Sequence, residues 1–328
     1  MQRLVLMQIN HRNEGDRRDA MDARSPASHL TAIKGARAAR PQYEWPTEDQ
    51  SMSYRQILVQ VDEKASALSR AALAATVART SGAQLVGVFL RSEFLQNFRT
   101  GEAIAYMPPY DIEALLKEHA AAVAQAGEQA REIFERAAGE AGVASEWRVV
   151  DGDSNAVLVA CARRSDLAVF PTSATASCGQ HVITAADLSL ASGGPVLVVP
   201  NGYAAPQIGK RVLVAWKGTR ESARALHDAW PLIAESEVHV VIVAREGEGG
   251  PEGLLQRHLE QHGRRPNLIV DRSDDASAAD IIRRHAGALG ADLIVMGLYG
   301  RSRLSELVLG GVSHDMLRDP PAPLLLSH

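Results

Sequence analysis

The residues of this chain best suited to chemistry lie near its C-terminal end. Asp292-Leu-Ile-Val-Met296 is a short apolar run closed by Gly297, the pattern of a buried parallel strand. Gly300 follows, then Gly310 and Gly311, and Val312 to Leu317 reads as the first turns of a helix. Glycines let backbone N–H groups approach a ligand closely. A helix N-terminus adds unpaired N–H groups and partial positive charge. The Gly-x2-Gly-x9-Gly spacing is therefore a device for holding phosphate, or else a glycine-rich turn that needs no ligand. Ser313 offers an oxygen just beyond Gly311. Arg301 and Arg303 flank the loop, each as a phosphate contact or a solvated cation.

Other combinations do not assemble into a mechanism. No Gly-x4-Gly-Lys-Ser/Thr loop is present, so ordinary P-loop chemistry has no support. Ser313-His314-Asp315 are neighbours on a helix and point in different directions, so they form no triad. His258 and His262 have metal-ligand spacing, but the sequence between them is not that of a zinc protease and no third ligand is evident. Cys178 reads as an inert thiol for want of a partner.

The elements that must position the glycines come in two rounds. In the first, Ile57–Val61 is a strand closed by Asp62, Ala65–Ser81 a helix ended by Gly82, and Gln84–Leu90 a second strand. Residues 91–110 are an excursion with Phe94, Phe98, Tyr106 and Met107, read as a packed surface loop. A long helix then runs from Asp111 to about Gly142. Trp147–Val150 is the third strand, and a helix from Asp153 or Ser154 runs to about Arg164. Leu167–Phe170 is the fourth strand, a helix spans His181–Leu190, and Val196–Val199 is the fifth strand. Strands alternating with helices in this way call for a doubly wound parallel sheet.

The second round repeats the order. Val212–Trp216, Glu237–Val243, Leu268–Val270, Asp292–Met296 and Leu324–Leu326 are its strands. Helices span Glu221–Ala234, Pro251–His262 and Ala276–Ala288. Pro200–Pro206 is the connector. The division is thus a flexible extension over residues 1–52, with a docking tail as the alternative, followed by domains at 53–200 and 207–328.

Composition narrows the partners. The chain has 328 residues, enough for two cores, and a net charge of −4, which gives no general attraction to nucleic acid or an anionic membrane. Two cysteines make neither a disulfide framework nor a zinc site, which fits a reducing, cytoplasmic setting. No apolar run is long enough to span a bilayer, and the first residues lack the core of a secretory signal.

Residues 53–328 resemble a tandem universal stress protein. The likeness rests on Val212–Ser222, Ala291–Gly311 and the final proline-flanked strand, and more weakly on Ile57–Asp62, Asp166–Pro171 and Pro195–Pro200. It implies two five-stranded parallel sheets of order 3-2-1-4-5, adenine nucleotide alpha hydrolase-like in type, with nucleotide between the first and fourth strands. That is also where open α/β sheets place ligands on general grounds. Carried onto this sequence, the binding positions are Ala215, Lys217, Val243, Gly297, Gly300, Arg301, Gly310, Gly311, Val312 and Ser313, with the Val243 backbone facing an adenine edge. The ligand would be ATP, with Mg2+ accompanying it.

Two departures qualify this. Gly311 stands where the family has Ser or Thr, and Lys217 where it has an acid. Lysine cannot accept a hydrogen bond from a ribose hydroxyl, although it can meet a phosphate as a point charge. The first half keeps the acid, Asp62, but Pro171 stands in place of Gly297 and the paired glycines are missing, so that half is expected to be degenerate and structural. The implied function is a nucleotide-binding stress-response regulator with at most slow ATP hydrolysis and an unidentified protein partner. The alternative is a nucleotide-free interaction module. The resemblance also implies that the last strands of the halves pair antiparallel, making an internal pseudo-dimer, with further homodimerisation open.

Overall fold

A computed structural model describes residues 53–91, 108–151, 155–175, 181–244, 252–298 and 311–328. The chain divides into two units, Met1–Trp45 and Pro46–His328, and the architecture is that of the second. Gly300, Arg301, Arg303, Gly310, Cys178 and residues 92–107 of the excursion lie outside the described residues.

The strands of the first round are β1 (Gln56–Gln60), β2 (Gln84–Arg91), β3 (Ser145–Asp151), β4 (Leu167–Pro171) and, after the short strands β5 (Ser173–Thr175) and β6 (His181–Thr184), β7 (Val196–Val199). Those of the second are β8 (Arg211–Ala215), β9 (Glu237–Val243), β10 (Asn267–Asp271), β11 (Leu293–Gly297) and β12 (Leu324–Ser327). One ten-stranded sheet has the order β10-β9-β8-β11-β12-β7-β4-β1-β2-β3. Each half, counted through its own strands, is therefore 3-2-1-4-5. In this sheet all pairings within a half are parallel, and the halves join through an antiparallel β12–β7 pair, with Leu324 opposite Val198, Leu325 opposite Leu197 and Leu326 opposite Val196. These two short apolar strands would be open edges if the halves were apart; paired, their leucines and valines are fully buried or nearly so.

The central strands are apolar on both sides because both faces are covered. Ile57, Val59, Val212, Val214, Leu293 and Val295 pack on one face, and Leu58, Ala168, Leu213, Ile294 and Met296 on the other. Helices α1 (Ala65–Ser81), α2 (Pro109–Ala141) and, in the second half, α5 (Arg220–Asp228) contribute to the first core. Helices α3 (Asn155–Ala162), α4 (Ala185–Ser192), α8 (Ala278–Leu289) and α9 (Gly311–Arg318) contribute to the second. α1 ends where Gly82 takes the left-handed conformation (φ 65°), as its sequence position predicts.

Each half pins the start of its first strand with the aspartate that precedes its fourth. Asp166 accepts hydrogen bonds from the N–H groups of Arg55 (2.7 Å) and Gln56 (2.9 Å). Asp292 accepts from Gly209 (3.0 Å), Lys210 (2.9 Å) and Arg211 (3.2 Å). The same device in both halves is a structural mark of the duplication.

Three expectations need correction. The helix expected over His181–Leu190 begins only at Ala185, since 181–184 form β6, antiparallel to β5. Thr184 then caps the helix by accepting from the Asp187 N–H (3.0 Å). The helix expected over Glu221–Ala234 is broken: α5 stops at Asp228, and a separate turn, α6 (Trp230–Ile233), follows with Pro231 as its second residue, whose missing N–H cannot continue the ladder. The long helix begins at Pro109, earlier than Asp111, because proline is well suited to a first helical turn. The remaining helix of the second half is α7 (Glu252–Gln261). Among the described residues, no helix is long and apolar enough to cross a membrane.

Candidate functional site at the strand ends

The C-terminal ends of β9, β8 and β11 lie side by side and bring several expected residues to one edge. Ala215 ends β8 in register with Met296 and Val241, and Gly297 ends β11 opposite Ser327 of β12. Val243 ends β9, half-buried, opposite Asp271. Lys217 is exposed in the turn between β8 and α5. Gly311, exposed, opens α9, followed by half-buried Val312 and buried Ser313.

The two described loop glycines are there for different reasons. A Cβ on Gly297 would lie 2.6 Å from the Glu221 carbonyl carbon and 2.6 Å from the Ser222 nitrogen. These are backbone atoms of the first turn of α5 and cannot step aside, so Gly297 lets that helix rest directly on the strand end. Among the described residues, a Cβ on Gly311 would meet nothing within 4 Å.

The N-terminus of α5 is satisfied internally. The Thr219 hydroxyl accepts from the Ser222 N–H and the Ser222 hydroxyl accepts from the Thr219 N–H, a reciprocal capping box. The side chain of Glu221 is 7% exposed and accepts from the Arg220 Nε. Burial pushes the Glu221 carboxyl up, but the Arg220 guanidinium, the residue's own N–H and the Thr219 hydroxyl together hold it below the usual range, and it is ionised at neutral pH. Glu221 was not singled out from sequence, where an acid in a first helical turn is unremarkable.

The matching strand end in the first half carries a buried polar cluster. Arg70, 1% exposed, donates from Nε to the Gln60 carbonyl (2.7 Å) and from Nη2 to the Gln60 Oε1 (2.9 Å), and lies 3.4 Å from Asp62 Oδ2. Asp62 Oδ1 accepts from the Lys64 N–H (3.2 Å). The acid retained from the sequence pattern is thus engaged by a buried arginine. In the second half, Ala215, Lys217 and Ala225 stand at the positions of Gln60, Asp62 and Arg70.

The histidines flagged by spacing do meet a third. The ring centroids of His258 and His262 are 4.8 Å apart, and those of His227 and His258 5.6 Å, with Trp230 packed 4.8 Å from His262. Among the described residues, no group of three or more His, Cys, Asp or Glu is arranged to hold a metal ion. Asp271, at the end of β10, bonds Ser273, His285 (2.7 Å) and Arg284 (3.3 Å); led by the Ser273 hydroxyl and N–H, these hold its carboxyl far below the usual range. The carboxylate lies between serine and histidine, which is not the order of a nucleophilic triad.

Residues 209–328 match the model of the universal stress protein family. A universal stress protein of Synechocystis is 27% identical over 139 residues, covering 40% of this chain and 46% of the relative, so the match spans about half of that relative's length. A universal stress protein structure from Archaeoglobus fulgidus superposes with a TM-score of 0.62 at 14% identity, covering 83% of this chain and 97% of that one, which shows the common fold. A second, from Pseudomonas aeruginosa, gives 0.47 at 18% identity, covering 85% and 94%.

Proposed function

Since residues 209–328 belong to the universal stress protein family and the whole sheet has its tandem, two-half architecture, we propose that the chain is a stress-response regulator that binds an adenine nucleotide, ATP with its Mg2+, at the strand ends of its second half. This reading takes the second half as an adenine nucleotide alpha hydrolase-like domain and the first as its degenerate partner.

The observation that supports it most is the asymmetry between the halves. Where the first half has the Gln60–Asp62–Arg70 cluster, the second has two alanines and an exposed lysine. Space taken by a guanidinium in one half is free of it in the other, at the point where strand order reverses and doubly wound sheets take ligands. The main chain near Gly297 and the start of α9 would meet the phosphates; Lys217, and Arg301 of the loop, would add charge. Ala215 and the Val243 backbone would face the nucleoside, while Gly300, Gly310, Gly311, Val312 and Ser313 would line the phosphate side. Regulation needs only binding, which would set the shape of a surface read by a protein partner, so no step of hydrolysis is required.

Equilibrium binding of a labelled ATP analogue to the wild type and to Gly300→Asp tests this, together with mass spectrometry of small molecules that co-purify. Binding by the wild type, weakened by a carboxylate in the loop, is expected. Equal and negligible binding by both, with no co-purified adenylate, would remove the nucleotide reading.

One observation favours a second reading. Helix packing alone accounts for Gly297, so that glycine is no independent sign of a ligand. The chain would then be a nucleotide-free interaction module built on the same paired halves.

A further inference from the structure

Arg220 and Glu221 form an unusual pair for adjacent residues. The Glu221 side chain is 7% exposed and that of Arg220 is 82% exposed, yet the buried carboxylate holds the Nε of the exposed guanidinium. Glu221 packs closely over Gly297: a Cβ added to that glycine would lie 2.8 Å from the Glu221 Cβ. Its ionised carboxylate is further held by its own N–H and by the Thr219 hydroxyl. The arginine is therefore held by its Nε to the residue that packs on Gly297, the last residue of β11. Among the described residues, its two terminal nitrogens have no partner. Lys217, exposed in the same turn, is a second cation on this edge.

A guanidinium whose Nε is already held presents its remaining donors as a rigid fork, the geometry that meets phosphate oxygens in pairs. We propose that Arg220 is the arm that grips the outer phosphates of a nucleoside polyphosphate at these strand ends, with Glu221 as its positioning residue. The inference rests on the nucleotide reading above and goes further by assigning the discrimination among adenosine, AMP, ADP and ATP to one side chain. Arg220 is exposed, so its substitution leaves the core untouched.

Dissociation constants for adenosine, AMP, ADP and ATP, measured by calorimetry on the full chain, test the assignment in wild type, Arg220→Gln, Arg220→Lys and Glu221→Gln. Arg220→Gln is expected to weaken ATP by about tenfold, the scale of a lost charge-assisted hydrogen bond, and to leave adenosine unchanged. Arg220→Lys should recover part of the loss. Glu221→Gln should weaken ATP in the same direction, and added to Arg220→Gln it should cost little more. If the wild type binds ATP and Arg220→Gln binds it equally well, the arm is refuted while the nucleotide reading stands. If Arg220→Gln weakens adenosine and ATP alike, the residue does not act on phosphate and the assignment is overturned. If the wild type binds no adenylate, the underlying reading fails and this inference falls with it.

Discussion

The phenol of Tyr54, just ahead of β1, donates its hydrogen to the main-chain carbonyl of Asp228 at the end of α5, over 2.6 Å. The bond joins residues 174 positions apart and ties the start of the first half to a helix of the second. Burial, and then the nearby charges of Asp228 and Asp166, push the phenol well above its ordinary value. The folded chain thus holds this proton more tightly than the unfolded chain does. The contribution is complete below about pH 10, the ordinary tyrosine value, and is lost as pH rises beyond it. Tyr54→Phe should cost about 1–2 kcal/mol in urea unfolding at neutral pH, since the Asp228 carbonyl loses its side-chain donor. The variant should also lose less stability than the wild type between about pH 10 and 11. An unchanged midpoint and an unchanged alkaline slope would show that the junction does not depend on this bond.

Gly297 and Gly311 belong to one sequence motif and should respond oppositely to alanine. Gly297→Ala forces a methyl against the backbone of Glu221 and Ser222, and should cost about 1–3 kcal/mol. Gly311→Ala meets no described residue and opens a helix, and should be neutral or stabilising by up to about 1 kcal/mol. Thermal melts of both variants decide it; a Gly297→Ala melting point equal to wild type would mean that α5 does not rest on the strand end as described. Gly311→Ser restores a hydroxyl and should tighten ATP if the nucleotide reading holds, measured by the same calorimetry.

Much of this was legible without coordinates. Short apolar runs separated by helical periods named the strands of both halves, and the family resemblance implied that the last of them, at Val196 and Leu324, join the halves. What stayed hidden was non-local. The β5–β6 pair was missed because His181-Val-Ile-Thr184 is as compatible with a helix start as with a strand, and only its partner across residues 176–180 decides. Gly297 looked like a ligand residue because nothing local shows that Glu221 and Ser222 press on it. Likewise Asp62 read in sequence as the retained family acid, while Arg70, in the second turn of the next helix, lies against it.

His258 should make the second half acid-sensitive. Burial, and then the neighbouring His262 and His227, lower the proton affinity of His258. No carboxylate is among the influences on it. The unfolded chain takes up a proton near pH 6.5 that the folded cluster resists, so this part of the stability is complete above about pH 6.5 and declines as pH falls. Hydrogen-exchange protection of α5 and α7, corrected for the pH dependence of intrinsic exchange, should fall between about pH 6.5 and 5.5 in the wild type. In His258→Gln that change should be blunted. Identical pH profiles would show that protonating His258 costs the fold nothing.

The β12–β7 pair is the prediction on which the tandem arrangement stands. Leu325 is fully buried opposite Leu197, on the same face as the α5 core. A carboxylate there would have no partner, and burying one unpaired costs several kcal/mol. Leu325→Asp should therefore part the halves locally, expose the β7 and β12 edges and drive aggregation. Leu325→Val keeps the surface apolar and should cost only about 1 kcal/mol. Solubility and melting temperature of the two variants separate the effect of charge from that of volume. If Leu325→Asp stays fully soluble with an unchanged melting point, the halves do not depend on this pair of strands, and the continuous sheet is not what holds them together.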